Sequence, residues 1–310
     1  MTKPLQSVPG AKPFLKWAGG KTQLLEQFSK RLPPAMKNGE ITRYAEPFVG
    51  GGAVFFYLGQ RFAFDHSSIF DANEELILTY RVIKKAVKKL ITELGSLETA
   101  YLSKGNKERE HLFYYVRDSF NTKKSEINFH SYTSEWVTRA AQCIFLNHTC
   151  YNGLFRMNRK GEFNVPFGRY KNPRILNKDN LIEVAALLKN TSVIQGDFSG
   201  CKESVDDTTF VYLDPPYRPL NDTSSFTSYS KDGFSDTDQR RLAEFFRELD
   251  KRGAKIMLSN SDPRNEHPDD SFFDELYAGF TIERVPAMRS INCNGACRGE
   301  INELIITNYR

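Results

Sequence analysis

The chain of 310 residues reads as an α/β protein in which one parallel sheet is interrupted by a large, mainly helical insertion. Three observations predict this. Short apolar strands alternate with helices near the start of the chain, the alternation stops at about residue 82, and it resumes at Ser192-Val193-Ile194. Alternating strands and helices require crossover connections, and those build parallel sheets. The expected layout is a discontinuous sheet domain, residues 1–81 and 192–310, with residues 82–191 as a second domain inserted into it.

The elements follow in order. A strand at Tyr44 to Phe48 runs into Gly50, Gly51 and Gly52, and an apolar helix begins near Ala53. A second strand ends at Ile69-Phe70-Asp71, followed by a helix from about Asn73 through Leu76, Ile77, Tyr80 and Ile83. Charged helical sequence then takes over (Lys84 to Lys89, Lys107 to Arg117), and the stretch from Asn147 to Arg174 is basic, aromatic and glycine-containing. After the strand ending at Ile194 come a strand at Phe210 to Leu213, a helix over Asp236 to Lys251 and a strand at Lys255 to Ser259. A helix near Phe272 to Tyr277 and closing strands around Phe280 to Val285 and Leu304 to Thr307 complete the sheet.

Composition narrows the class. With 40% hydrophobic and 26% charged residues and a net charge of +5, the chain buries enough apolar surface to fold, which excludes disorder as its dominant state. No apolar run is long enough to span a membrane, and Met1 to Gly10 lacks the layout of a signal peptide, so a cytoplasmic protein with no membrane partner is expected. The five cysteines are odd in number and scattered, which predicts free thiols. Cys293 and Cys297 lie close together but lack the remaining ligands of a zinc site, and no metal is expected.

Chemistry concentrates in two motifs. Asp214-Pro215-Pro216-Tyr217 directly follows the apolar strand Phe210 to Leu213, at a strand end of the kind where parallel sheets bind ligands. Two prolines withhold two N–H donors, so the turn is rich in acceptors: the Asp214 carboxylate and the Pro215 carbonyl. Such a pair beside the Tyr217 ring suits a planar group with an exocyclic amine. It draws on both amine hydrogens and stabilises the positive charge that develops when the nitrogen attacks. The second motif is Glu46-Pro47-Phe48-Val49-Gly50-Gly51-Gly52, a glycine loop at a helix start. A dinucleotide fingerprint would place glycine where Phe55 stands, whereas Asp71, about twenty residues on, occupies the position of a ribose-binding acid. A nucleoside without pyrophosphate fits best. Gly19-Gly20-Lys21-Thr22 suggests a phosphate loop, but Leu15 occupies the position of that motif's first glycine.

Together with the block Lys16 to Lys21, these motifs closely resemble the DNA adenine-N6 methyltransferases of the Dam family, over essentially the whole chain. The resemblance implies a Rossmann-like S-adenosylmethionine-dependent methyltransferase sheet carrying an inserted DNA-recognition domain with a β-hairpin. It implies S-adenosylmethionine as cofactor, held by Trp17, Lys21, Glu46, Phe48, Gly50, Gly52, Asp71, Asp197, Phe198 and Asp214. Asp71 would sit on the ribose and Asp197-Phe198 on the donor's adenine. Asp214, Pro215, Pro216 and Tyr217 would form the catalytic turn, acting by base flipping and direct transfer. Cytosine-C5 chemistry would need a nucleophilic cysteine, normally after proline, and no Pro-Cys pair occurs.

The segment Tyr151 to Lys171 interleaves bases and aromatics around glycines, a composition suited to phosphates and base edges. It resembles the recognition hairpin of the branch that methylates GATC. Carried over, Tyr151 would enter the vacated base position with Asn152 beside it, Arg156 would read a guanine, and Leu154 and Pro166 would touch a thymine. Lys16 would reach the first guanine and Arg169 would hold phosphate. Phe155 departs from the small cysteine-type residue of that branch. The long polar stretch from Arg218 to Phe234, with Phe226 and Tyr229, is expected to order over the flipped adenine. Double-stranded DNA containing GATC is the expected partner, with a cognate restriction endonuclease acting separately. Competing readings are a methyltransferase for RNA or glutamine amides, which usually carries Asn in place of Asp214, and a catalytically silent DNA-binding protein on the same scaffold.

Overall fold

Strands form where β-branched and aromatic residues run between polar breaks: β1 Arg43–Glu46, β2 His66–Asp71, β3 Thr191–Gln195, β4 Thr209–Leu213, β5 Lys255–Ser261, β6 Thr281–Met288 and β7 Glu300–Thr307. The computed structural model describes residues 10–17, 19–218, 234–288 and 300–310. The strands make a seven-stranded sheet in the order β3-β2-β1-β4-β5-β7-β6. β1 is parallel to β2 and to β4, and β4 is parallel to β5. All five residues of β4 are buried, the unbroken apolar pattern of a central parallel strand.

The edge departs from the expected parallel sheet. β7 is antiparallel to both β5 and β6. β6 and β7 follow each other too closely in the chain for a crossover connection, so the later strand turns back and inserts beside β5. β1 is also shorter than the expected Tyr44 to Phe48, because Pro47 has no N–H to offer the ladder.

The helices are α1 Leu25–Lys30, α2 Pro34–Lys37, α3 Ala53–Gly59, α4 Glu74–Leu102, α5 Asn106–Thr122, α6 Glu135–Thr149, α7 Lys178–Leu187, α8 Asp236–Lys251 and α9 Phe272–Leu276. The Asn73 side chain caps α4 by accepting from the backbone N–H groups of Glu75 and Leu76, both at 3.1 Å. The helix expected from about Asn73 through Ile83 and the charged helical sequence after it form one element, α4, which continues to Leu102 across a kink at Ala86 (φ −143°, ψ 35°). The expected hairpin is an irregular one, marked by two isolated antiparallel bridges, Cys150↔Phe167 and Met157↔Phe163.

By internal contacts the chain divides into two units. The first comprises Met1–Gly20, Val49–Ala63 and Phe70–Gly196, the second Lys21–Phe48, Phe64–Ile69 and Asp197–Arg310. This partition differs from the expected division at residues 82 and 191. Among the described residues no helix is long and apolar enough to cross a membrane. Cys143, Cys150 and Cys201 are buried free thiols, while Cys293 and Cys297 lie outside the described residues.

Within the first unit α4, α5 and α6 are tied by one buried ion pair. Arg139 Nη2 lies 2.5 Å from Glu75 Oε1 and Arg139 Nε 2.9 Å from Glu75 Oε2, both side chains being 2% exposed. The same guanidinium donates to the Phe120 carbonyl and lies over the Phe120 ring, 3.5 Å from its centroid. Removing one partner strands the other charge in the interior. Arg139→Ala is expected to lower the unfolding free energy by about 3–5 kcal/mol, and Arg139→Met combined with Glu75→Leu to recover most of it. Urea denaturation of the two variants checks this.

Candidate active site

The second unit builds the turn Asp214-Pro215-Pro216-Tyr217. β4 ends at Leu213, and Asp214 follows with its side chain 19% exposed. Lys21 Nζ approaches Asp214 Oδ1 at 2.9 Å, and Ser259 Oγ donates to the same oxygen at 3.2 Å. Ser259 is itself 2.7 Å from the buried Tyr212 hydroxyl. Burial pushes the Asp214 carboxyl up from its ordinary value, opposed by the Lys21 ammonium and the Ser259 hydroxyl. Gln239 Nε2 donates to the Pro216 carbonyl at 3.2 Å. The Pro215 carbonyl takes no hydrogen bond among the described residues, so the turn keeps the acceptor that the sequence singles out.

Tyr217 is 37% exposed, and its hydroxyl is anchored. It donates to Glu303, 2.6 Å from Oε2 and 2.8 Å from Oε1, and accepts from Lys21 Nζ at 2.5 Å. Burial, followed by the Asp214 and Glu303 charges, holds the phenol well above its usual range, so it remains a donor. Burial also pushes Glu303 up, against Lys21 and the Tyr217 hydrogen bond. Lys21, Asp214, Tyr217, Ser259 and Glu303 thus form one connected polar cluster.

The other expected donor-binding residues of this unit are already partnered. Glu46 is buried and accepts from the Tyr44 hydroxyl at 2.7 Å. Phe48 packs with Phe198 and Phe234 at centroid distances of 5.5 and 5.8 Å. Asp197 caps the turn Phe198–Ser204 and takes Arg241 in a two-pronged pair at 2.8 and 2.9 Å. That guanidinium holds the Asp197 carboxyl down at about 2. Of the stretch expected to cover the target, residues 219–233, including Phe226 and Tyr229, lie outside the described residues. Arg218 at its start is fixed by Asp236 and Asp270.

In the first unit Asp71 closes the glycine loop. Its Oδ2 accepts from Gly50 N at 3.0 Å and its Oδ1 from Asn73 N at 2.9 Å. Burial outweighs these bonds and pushes the carboxyl up to about 6. Gly50 and Gly52 have φ of +47° and +75°, and neither has room for a side chain. A Cβ on Gly50 would meet Trp17 Cδ1 at 2.9 Å, and one on Gly52 would meet the Tyr80 hydroxyl at 2.5 Å. The glycines are therefore required by packing as well as by any ligand. Trp17 lies over this loop and stacks on Phe155, centroids 5.2 Å apart. Phe155, the departure noted in the sequence, is a buried packing residue here.

The segment 151–171 separates two kinds of residue. Phe155, Phe163, Val165 and Phe167 are buried, while Tyr151, Asn152, Arg156, Pro166 and Arg169 are exposed and Leu154 is half-buried. Tyr151, 55% exposed, donates its backbone N–H to the Pro166 carbonyl at 2.8 Å. Arg156 Nε donates to Asn164 Oδ1 at 2.9 Å, which orients the guanidinium. The Lys16 ammonium lies 5.2 Å from the Tyr170 ring centroid. Among the described residues no group of three or more His, Cys, Asp or Glu side chains is placed to hold a metal ion.

Sequence reasoning missed Glu303, Ser259 and Asn164. Glu303 stands 86 residues from Tyr217 in a strand that reads as edge sheet, and no local pattern marks it. Asn164 sits eight residues from Arg156 across the hairpin, and a hairpin register is the one signal that pairs them.

Comparison with known proteins follows the same lines. Residues 17–291 match the model of the D12 class N6 adenine-specific DNA methyltransferases. The chain is 54% identical over 299 residues to the type II methyltransferase M.MjaIII of Methanocaldococcus jannaschii, covering 96% of this chain and 99% of that one. It is 39% identical over 306 residues to the type II methyltransferase M1.LlaDCHI of Lactococcus lactis subsp. cremoris, covering 96% and 95%. It is 34% identical over 292 residues to the DNA adenine methylase of Escherichia coli K12, covering 94% and 93%.

The ion pair at Asp214 has a measurable consequence. If Asp214 accepts hydrogen bonds as the carboxylate, turnover falls as pH drops through its pKa, which burial raises and Lys21 lowers. Lys21→Met removes the lowering, so the acidic limb of the kcat–pH profile is expected to move to higher pH. A variant whose acidic limb coincides with that of the unmodified protein refutes the assignment.

Proposed function

This chain belongs to the family of D12 class N6 adenine-specific DNA methyltransferases, and we propose that it methylates adenine within duplex GATC with S-adenosylmethionine as donor. Site-specific methylation of adenine in DNA is the activity of the family and of this chain. The observation that carries the finer reading is the segment 151–171, which exposes Tyr151, Asn152, Arg156, Pro166 and Arg169 while its aromatic side is buried. These residue types suit base edges and phosphates: an Arg fork for guanine, apolar contact for a thymine methyl, and a base for phosphate. On this reading residues 82–191 carry target recognition, and residues 1–81 and 192–310 carry catalysis. The protein works in the cytoplasm, and any partner restriction endonuclease acts separately.

The donor set at Asp71 fits a nucleoside. Its two oxygens accept from the Gly50 and Asn73 backbone N–H groups and keep capacity for further hydrogen bonds, which suits the paired hydroxyls of a ribose. S-adenosylmethionine, when bound, supplies an electrophilic methyl group on a sulfonium. Trp17, Glu46, Phe48, Asp197 and Phe198 are assigned to the same role by family resemblance.

The chain's own part in transfer lies at Asp214. An adenine inside the duplex cannot reach the turn, so it must leave the stack, and the exposed Tyr151 ring fills its place. The Asp214 carboxylate and the Pro215 carbonyl each accept one hydrogen of N6. This favours a tetrahedral nitrogen and stabilises its developing positive charge. Tyr217, fixed at its hydroxyl, stacks on the base.

Transfer of a labelled methyl group to a GATC duplex, compared with a scrambled duplex, tests the reading; equal labelling of both, or of neither, counts against it. Asp214→Ala is expected to abolish transfer and leave DNA binding largely intact. Arg156→Ala is expected to lower discrimination at one base pair by about 1–3 kcal/mol. Relaxation at no pair would refute the role of Arg156.

A further inference from the structure

Residues 10–17 pair with no strand among the described residues, yet side chains of α6 and α7 hold their peptide groups one after another. Lys12 N donates to Asn180 Oδ1 at 2.8 Å, and Asn180 Nδ2 donates back to the Lys12 carbonyl at 3.0 Å. His148 Nε2 lies 3.0 Å from the Phe14 carbonyl. Lys16 N donates to Asn147 Oδ1 at 2.8 Å, and Asn147 Nδ2 donates to the Lys16 carbonyl at 2.9 Å. An asparagine side chain offers the same donor and acceptor as a peptide group, so it can stand in for a neighbouring strand.

Asn147 does more than this. Its second Nδ2 hydrogen goes to the Gly153 carbonyl at 2.9 Å, and the side chain is fully buried. Gly153 closes the turn Tyr151–Gly153, immediately before Leu154 and Arg156. One amide therefore joins the backbone of Lys16 to the backbone of the turn that begins the exposed segment. The fit is close on the other side too: Gly153 has φ of +63°, and a Cβ there would collide with the Lys16 side chain.

We propose that Asn147 is a positioning residue for sequence readout, holding Lys16 and the Tyr151–Arg156 segment in one frame so that they read their separate bases in register. This rests on the reading that both elements face the target DNA. Lys16 and Arg156 each act on one base pair, whereas Asn147 touches no base and governs two pairs at once. A buried amide with its full set of partners tolerates little displacement, because any shift leaves a carbonyl unpaired in the interior.

The test compares kcat/KM on a GATC duplex with duplexes substituted at single pairs, for Asn147→Ala, Arg156→Ala, Lys16→Ala and Asn180→Ala. Asn147→Ala is expected to relax discrimination by about tenfold or more at both the Lys16 and the Arg156 pairs, while each cation variant relaxes one. Asn180→Ala, which frees the same segment at Lys12 but not the turn, is expected to leave both ratios in place. Gly153→Ala, which keeps Asn147 but pushes the turn and Lys16 apart, is expected to reproduce the two-pair relaxation and decides the matter if Asn147→Ala does not fold. Unchanged ratios in folded Asn147→Ala or Gly153→Ala, or equal relaxation in Asn180→Ala, overturn the inference. Unchanged discrimination in Arg156→Ala and Lys16→Ala as well would instead overturn the reading of the segment as the DNA-facing surface.

Discussion

A carboxylate largely withdrawn from water at the end of β4 is the constraint around which the second unit is arranged. An ionised group away from water is tolerated only with partners. Asp214 has two, Lys21 and Ser259, and strand register supplies one of them. Leu213 pairs with Leu258 in the parallel β4–β5 ladder, so Ser259 arrives beside Asp214. The antiparallel β5–β7 ladder pairs Ser261 with Glu303, which brings Glu303 within reach of Tyr217. A slip of one residue in either ladder would turn these side chains to the opposite face. The reversed direction of β7 is thus tied to the candidate site: it delivers a second carboxylate to the Asp214–Tyr217 turn.

The first unit solves a different problem with different chemistry. Its N-terminal segment is held by neutral amides, Asn147 and Asn180, and its buried ion pair, Arg139–Glu75, serves to tie helices together. On the proposed reading the choice matters, because this surface then meets a polyanion. An acidic side chain at the positions of Asn147 or Asn180 would compete for the basic residues, whereas amides leave Lys16, Arg156 and Arg169 their charge for the proposed contacts with phosphates and base edges. Burial of Phe155, Phe163, Val165 and Phe167 fixes one side of the 151–171 segment, so the exposed residues need no ladder of strand hydrogen bonds to hold their directions.

The parts legible in the sequence were those set locally. The apolar run at Phe210 to Leu213, the helix start near Asn73 and the helix over Asp236 to Lys251 depend on residues near them, and each appears as expected. The Asp214 turn was legible because two prolines leave few alternatives. What the sequence did not show was set by packing between distant parts. The kink of α4 at Ala86, the reversal of β7, and the partnerships of Glu303 with Tyr217 and Asn147 with Lys16 are of this kind. Lys21 is instructive: its block reads as donor-binding by resemblance, yet the ammonium lies on Asp214. A lysine in a glycine-rich stretch gives no sign of which distant acid it will meet.

The charge balance of the cluster bears on the proposed mechanism. With both carboxylates ionised, Lys21, Asp214 and Glu303 together carry one net negative charge. An N6 nitrogen attacking a methyl group acquires positive charge, so an environment already negative stabilises the transition state more than the neutral base. Two buried carboxylates without a cation would tend to take up a proton and lose that advantage. A second cation would cancel the surplus. One lysine beside the two acids opposes the upward push of burial on both while leaving the field negative when both are ionised, and the Tyr217 hydroxyl, bound to Glu303 as a donor, favours the acceptor form of the second acid. Lys21 is then best understood through what it preserves at Asp214 and Glu303, and the Tyr217 ring is held still by the same bonds that keep the charge in place.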